Sequence, residues 1–482
     1  MDWTFWTGLW DAGLWWLLLL VQVAGLAMAG HVVSSDRSTQ GTVAWGVSLV
    51  LAPLIAVPLY LFFGRNRLDT YVAARRRVDR QFARDHAPEK REPDKAMEAR
   101  ERNLLHWKLV ENLAEVPFSA GNAVRLYFGG QEFFDELRRS IEQAESYLLF
   151  QFFIFRDDEI GRGFIELLKE RARAGVKVCF LVDAIGSRQL SRRVYRELRE
   201  AGVETGVFLP GRTLRGRLRL NFRNHRKVVV IDGKEAWLGG NNVGLEYTGR
   251  DPAFGPWRDT HLRVRGPVVK AVQLAFVEDW YWVNRRMPPV RWDATRRQPE
   301  GVGALCLATG PVDLEDSCTL AHVHMINRAR YRLWIHSPYF VPSEEIIVAL
   351  QLATMRGVDV RILLPSTADK KLVWLSSFYY SSLPQLRGVR FFRYRKGFFH
   401  SKMLLLDEEL ASVGTINFDN RSFRINFELT LLMMDDEIVR QCHEQMLLDF
   451  ADAVEDPPDP LAQQKFPLRL AARSARLLSP LL

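Results

Sequence analysis

At 482 residues the chain is too long for one ordinary hydrophobic core, and two or three domains are expected. Its formal net charge of +9 suits an anionic partner, either an acidic lipid surface or a nucleic acid. Cys179, Cys306, Cys318 and Cys442 lie far apart and form no Cys-x-x-Cys, which argues against a zinc site or a disulfide framework and for buried thiols in a reducing compartment.

The chain opens on two apolar runs. Gly13 to Val33 is almost uncharged, and at about 1.5 Å per residue it reaches roughly 31 Å, the depth of a bilayer core. Thr42 to Phe63 carries no charge at all; Pro53 and Pro58 interrupt it, as membrane helices tolerate. Aromatics stand near the ends, Trp3, Phe5, Trp6 and Trp10 before the first run and Tyr60, Phe62 and Phe63 closing the second. A signal peptide would need a positive leader, whereas only Asp2 and Asp11 precede the run. Residues 1–64 are therefore expected to form a two-helix transmembrane hairpin. Arg65, Arg67, Arg75, Arg76, Arg77, Arg80 and Arg84 follow it. By the positive-inside rule, both termini and everything beyond residue 64 face the cytoplasm of a multi-pass inner-membrane protein. Residues 65–116 read as a basic juxtamembrane helix and linker broken by Pro88 and Pro93, either drawn to anionic lipid or merely solvated.

The remainder reads as two similar halves, residues 117–295 and 303–460, with a basic, leucine-rich tail at 461–482 that either lies on the membrane or packs on the core. In the first half, strands are expected at 146–153, before Asp183, and after Gly202, with a helix from about Ile160. In the second, strands are expected at 331–337, after Val358, and after Gly388, with a helix from Ser343. Strands alternating with helices predict an α/β fold with a largely parallel sheet in each half, the fourth strand carrying the motif described next. The first half also carries a basic, partly apolar insertion, Pro210 to Arg219, which reads either as a loop beside the site that touches lipid headgroups or as a plain solvated insertion.

Two stretches repeat each other. Asn224-His225-Arg226-Lys227 runs through an apolar stretch to Asp232 and on to Gly239-Gly240-Asn241-Asn242; His400-Ser401-Lys402 runs to Asp407 and on to Gly414-Thr415-Ile416-Asn417. A strand after each Lys would put His and Lys, two apart, on one face. Two such units facing each other supply a nucleophilic imidazole, an acid–base imidazole and two fixed cations for a single phosphodiester. Lys227 and Lys402 can neutralise the phosphate, and Asn242 and Asn417 can donate to its non-bridging oxygens. Asp232 and Asp407, completing the catalytic motifs, are expected to brace the loop that holds the Asn. An imidazole that switches roles needs a carboxylate on its other nitrogen; Asp259, after His225, and Glu428, after His400, are the candidates. His322 and His324 read as packing, and His261, two after Asp259, as packing or as support behind the site. Nothing resembles a divalent-metal cluster, and no cofactor is expected. No array of stacking aromatics in a basic groove is apparent, which speaks against nucleic acid.

The doubled motif resembles the phospholipase D superfamily. Phe62-Phe63-Gly64-Arg65, Trp257-Arg258-Asp259-Thr260-His261, Ser337-Pro338-Tyr339-Phe340-Val341-Pro342, Asn417-Phe418-Asp419-Asn420-Arg421-Ser422, Asn426-Phe427-Glu428 and the closing Leu477-Leu478-Ser479-Pro480-Leu481-Leu482 resemble the bacterial cardiolipin synthases within it. The resemblance implies two phospholipase D-like α/β lobes related by a pseudo-twofold axis behind the membrane hairpin. It implies phosphatidyl transfer between two phosphatidylglycerol molecules, giving cardiolipin and glycerol at an anionic membrane. The residues alone leave open which histidine attacks; the resemblance favours His225, with His400 as acid. Hydrolysis by water and a membrane-tethered nuclease are the rival activities, and the oligomeric state is left open.

Overall fold

The structure, a computed structural model, describes residues 3–35, 39–61, 104–208, 222–292, 295–298, 301–367 and 369–481. The juxtamembrane arginines, Phe62, Phe63 and the Pro210–Arg219 insertion lie outside the described residues. The chain divides into an N-terminal unit, Met1–Val72, and a second unit, Ala73–Leu482.

In the N-terminal unit a helix runs from Trp3 to Val33, and its stretch Trp15–Val33 is, among the described residues, the one long and apolar enough to cross a membrane. The second apolar run is shorter than expected as a helix. It breaks at Ala52, ahead of Pro53, into Thr39–Leu51 and Pro53–Leu59; proline lacks the N–H that would continue the ladder and clashes with the preceding turn. The pieces pack on the first helix through Val32, Leu49, Ala56 and Tyr60, and the Gln22 amide donates to the Val50 carbonyl at 3.1 Å.

The second unit is built on one 16-stranded sheet. Its first lobe contributes β1 (Ser119–Tyr127), β2 (Tyr147–Phe152), β3 (Lys177–Asp183), β4 (Glu204–Phe208), β5 (Arg223–Asn224), β6 (Val228–Ile231), β7 (Glu235–Gly239), β8 (Trp257–Arg258) and β9 (His261–Arg265). The second contributes β10 (Val302–Thr309), β11 (Arg332–His336), β12 (Phe340–Val341), β13 (Asp359–Pro365), β14 (Arg390–Tyr394), β15 (Phe398–Phe399), β16 (Met403–Leu406), β17 (Leu410–Gly414), β18 (Phe418–Asp419), β19 (Asn426–Met434) and β20 (Ala453–Glu455). Strands β8, β12, β15 and β18 pair outside the large sheet. Reading outward from the antiparallel β1–β10 contact, the first lobe runs β1-β9-β7-β6-β2-β3-β4 and the second β10-β19-β17-β16-β11-β13-β14-β20. The orders correspond strand for strand, as a pseudo-twofold requires, and β20 is an extra edge strand.

The sheets are mixed rather than largely parallel. β2, β3 and β4 are parallel, as are β11, β13 and β14, where helices make the crossovers. The motif strands β6 and β16 pair antiparallel to β2 and β11 and turn straight back into β7 and β17. A turn as tight as Asp232–Lys234 can only return the chain antiparallel. β2, flanked by β6 and β3, is buried at every residue, as a strand covered on both faces is. The helix over β2, Glu159–Arg173, starts where the Asp158 carboxylate accepts the Gly161 N–H at 2.9 Å. All four cysteines are free and buried.

Candidate active site

The motif strands begin after the lysine, so His225 to Lys227 and His400 to Lys402 are extended links ahead of β6 and β16. What positions each histidine is a short strand from the other lobe. β5 pairs in parallel with the start of β19, Asn224 opposite Phe427, and the His225 N–H donates to the Phe427 carbonyl at 2.9 Å. The next residue along β19 is Glu428, and its Oε2 meets His225 Nδ1 at 2.8 Å. The mirror arrangement pairs β15 with β8, joins the His400 N–H to the Arg258 carbonyl at 2.8 Å, and sets Asp259 Oδ2 2.7 Å from His400 Nδ1. This corrects the pairing expected from sequence order: each imidazole is held by the carboxylate of the opposite lobe.

Each lysine reaches back to the carbonyl of the histidine two residues before it. Lys227 Nζ lies 2.7 Å from His225 O, and Lys402 Nζ bonds His400 O. Lys402 Nζ also lies 2.7 Å from His400 Nδ1. One ring nitrogen cannot both donate to a carboxylate and accept from an ammonium. The negative charge of Asp259 decides the matter: Nδ1 carries the hydrogen and Nε2 is the free lone pair.

Burial and charge set the protonation states apart. Burial, then the charges of Lys227, Lys402, Lys370 and His400, hold His225 well below the ordinary imidazole range. His400 is pulled down to about 4 by burial and Lys402, against the opposing pull of Asp259. Burial pushes the Glu428 carboxyl up to about 7, with Lys227 opposing. Asp259 is equally buried, yet Lys402 and His400 outweigh desolvation and hold it below the usual carboxylate value. Burial lowers Lys402 to about 8 and Lys227 well below its usual value. The firmly ionised Asp259 thus supports a cationic ring on His400, while the easily protonated Glu428 leaves His225 neutral.

The asparagines are buried beside the motifs. Asn242 accepts from the Ile154 N–H at 3.0 Å and donates to Tyr247 Oη at 3.2 Å; Asn417 Oδ1 is buried with no hydrogen-bond partner among the described residues. Asp232 and Asp407 have a different task from bracing the Asn loops. They sit at the far ends of β6 and β16, with φ of 53° and 48°, a left-handed conformation that Asp tolerates. Asp232 accepts the N–H groups of Glu145, Ser146 and Tyr147 at 2.9, 2.7 and 2.8 Å, and Asp407 those of Arg330, Tyr331 and Arg332 at 2.9, 2.9 and 2.8 Å. They fix the chain entering β2 and β11. The other histidines pack: His261 lies tilted against Phe133, within the field of Asp259 and Lys227, His322 packs on Phe418 and Phe423, and His324 meets Trp107 edge-on.

The variable motif position is matched to its carboxylate. A Cβ on Gly240 would stand 1.9 Å from Asp259 Oδ1, so only glycine fits there. Its counterpart Thr415 instead donates its hydroxyl to Glu428 Oε2 at 2.5 Å.

Sequence reasoning missed three supports. Arg258 binds Asp449 through Nε and Nη2, at 2.9 and 2.6 Å, while its Nη1 holds the Asp259 carbonyl at 2.6 Å. Arg226 binds Asp279 at 3.1 Å and the Glu428 carbonyl at 3.1 Å. These buried ion pairs flank the two crossed carboxylates. Their motif neighbours were a signal for the arginines; nothing near Asp279 or Asp449 in the chain marked the acids. Lys370 is the third, an exposed cation whose Nζ lies 4.8 Å from the centre of the Tyr339 ring, itself 6.5 Å from the His400 ring.

The fold and its doubled site define the class as that of the phospholipase D superfamily. The family model described as cardiolipin synthase, PLD-like domain, matches residues 137–250 and 322–449. Cardiolipin synthase A of Pseudomonas aeruginosa strain LESB58 is 42% identical over 471 residues, covering 97% of this chain and 96% of that one. Cardiolipin synthase A of Pseudomonas putida strain W619 is 40% identical over 473 residues, covering 97% and 98%. The crystal structure of phosphatidylserine synthase from Haemophilus influenzae Rd KW20 superposes with a TM-score of 0.58 at 12% identity, over 78% of this chain and all of that one, and shows the shared fold. The chain belongs to the cardiolipin synthase family of phospholipase D-like proteins.

Proposed function

We propose that the protein is a cardiolipin synthase, a phosphatidyltransferase that joins two phosphatidylglycerol molecules through a phosphatidyl-histidine intermediate. The observation that carries this mechanism is the crossed pair of carboxylate-held imidazoles, each with its own lysine beside it. His225 Nε2 attacks phosphorus of the first lipid and forms a P–N bond, while the P–O bond to glycerol breaks. His400 delivers its proton to the departing alkoxide, and glycerol leaves. The bound phosphodiester supplies the negative charge that lets His400 hold this proton despite its low resting affinity. His400 then takes the proton from the primary hydroxyl of the second lipid, whose oxygen attacks phosphorus and releases His225 with cardiolipin. Lys227, Lys402, Asn242 and Asn417 stabilise the phosphoryl oxygens throughout. Asp259 and Glu428 orient the rings; Asp232 and Asp407 hold the strands that carry them.

Transfer rather than hydrolysis fits a site that admits little water: the His225 and His400 side chains are only 10% and 8% exposed. The apolar helix through Val33 and the run that follows it are read as a two-pass anchor, residues 1–64, with lobes 117–295 and 303–460 on the cytoplasmic face. The test is purified protein in phosphatidylglycerol vesicles with products resolved by mass. Cardiolipin and glycerol in equal amounts support the reading. Accumulating phosphatidic acid would make it a hydrolase, and cleavage of labelled DNA without lipid turnover a nuclease. An acid-labile phosphorus adduct that maps to His400 instead of His225 would reverse the two roles.

A further inference from the structure

The C-terminal segment is folded against the second unit, yet its large apolar residues point away from it. The helix Phe466–Ala475 turns Ala472 and Ala475, 0% and 3% exposed, toward the body and packs along the helix Lys371–Ser381. Phe466 and Leu470, at i and i+4 on this helix, are 73% and 55% exposed, and Leu477 and Leu478, in the 3-10 turn that follows it, are 74% and 43% exposed. A helix that docks on a soluble surface does the reverse, burying its large residues and exposing its small ones. These residues are interspersed with Lys465, Arg469, Arg473 and Arg476, and residues 461–482 contain no Asp or Glu. Arg469 and Arg473 meet no carboxylate among the described residues. Large apolar side chains interleaved with cations match the boundary between acyl chains and anionic headgroups.

The segment is also tied to the site. The Asn420 amide, three residues after Asn417, donates to the Ser479 carbonyl at 3.2 Å, and the Arg476 guanidinium stands 4.7 Å from the centre of the Tyr379 ring. The helix beneath it follows directly on Lys370, and its exposed Leu372 extends the apolar surface toward that lysine.

We propose that Phe466, Leu470, Leu477 and Leu478, with Arg469 and Arg473, form a docking face for an anionic phospholipid bilayer that sets the active-site mouth against the membrane. The proposal rests on the lipid-transfer reading for the choice of partner. The four native cysteines are buried, so a full-length Leu470→Cys protein takes an environment-sensitive fluorophore at one place. In phosphatidylglycerol proteoliposomes, lipids brominated near the glycerol end of their chains should quench that label strongly, and leave a label at exposed Glu437→Cys unaffected. The triple variant Phe466→Ser, Leu470→Ser, Leu477→Ser should lose at least roughly tenfold in cardiolipin formation from vesicle lipid, and keep its rate on a short-chain, monomeric phosphatidylglycerol. An unquenched Leu470→Cys label on an enzyme that makes cardiolipin overturns the proposal, as does a label shielded equally without lipid by a second copy of the chain. The quenching stands even if the triple variant does not fold. A wild-type protein that turns over neither substrate, while the Leu470→Cys label is quenched, refutes the transfer reading and leaves the docking face in place.

Discussion

The crossed pairing of carboxylates and imidazoles can be tested directly by a double-mutant cycle. Asp259 is 1% exposed, and its Oδ2 lies 2.7 Å from His400 Nδ1 and 3.8 Å from Lys402 Nζ. A hydrogen bond to a charged group contributes about 1.5–3 kcal/mol net. Asp259→Asn, His400→Ala and the double variant should therefore show a coupling energy of about 1.5–3 kcal/mol in unfolding of the full-length protein. The same-lobe cycle, Asp259→Asn with His225→Ala, breaks no direct hydrogen bond between the pair and should couple clearly less than the cross-lobe one. Glu428→Gln should couple to His225→Ala and not to His400→Ala. In the assay of cardiolipin formation, loss of the orienting bond alone should slow Asp259→Asn by about 10- to 150-fold. His400→Ala, which removes the proton carrier, should lose several orders of magnitude more. Same-lobe coupling above about 1.5 kcal/mol, with cross-lobe coupling near zero, would refute the reasoning.

Other perturbations separate the remaining roles. Glu428 must be ionised to accept the His225 proton, and Lys402 must be charged. Activity should rise with pH through about 7, where Glu428 deprotonates, and fall above about 8, where Lys402 loses its proton; Glu428→Gln should remove the acid limb. The Lys370 charge pushes Lys402 down, so Lys370→Gln should move the alkaline limb to higher pH, a shift that a merely structural lysine would not cause. Asp232→Asn turns an amide donor toward one of the three N–H groups at the start of β2, and should lower unfolding stability by about 1–3 kcal/mol, with KM and kcat per folded molecule unchanged. Gly240→Ala drives a methyl group into Asp259 Oδ1; kcat should fall at least as far as in Asp259→Asn, and Gly240→Ser should not rescue it.

Much of the framework was legible because it is written in local pattern. The run Tyr147 to Phe152 is apolar and short enough to be a buried strand, and the helices expected from about Ile160 and from Ser343 start within a residue of those places. The doubling of His, Lys and Asn at equal spacing marked the site. The direction of the motif strands was not legible, because apolar runs such as Val228–Ile231 look alike whether their neighbour runs parallel or antiparallel. Asp232 and Asp407 misled because their importance is real but structural: the positive φ and the three N–H groups they receive are invisible in one dimension. Lys370 gave no signal at all, since its nearness to the histidines arises only once β13 is laid beside β11.

The crossing itself follows from a feature too small to predict. Each histidine is preceded by two residues that pair with the two residues preceding the other lobe's carboxylate. Sequence distance puts Asp259 with His225; strand register puts it with His400. The consequence is that neither lobe holds a working half-site, because each supplies an imidazole whose proton is governed by its neighbour. Arg258–Asp449 and Arg226–Asp279 then become more than packing, since each ion pair fixes the backbone of a carboxylate that crosses. Breaking either pair leaves a buried charge unmatched, at about 3–5 kcal/mol. Arg258→Met should thus disturb His400 and spare the Glu428–His225 coupling, whereas Arg226→Met should do the opposite. If both variants weakened both couplings equally, the two half-sites would not be independently held, and the division of labour between His225 and His400 would lose its structural basis.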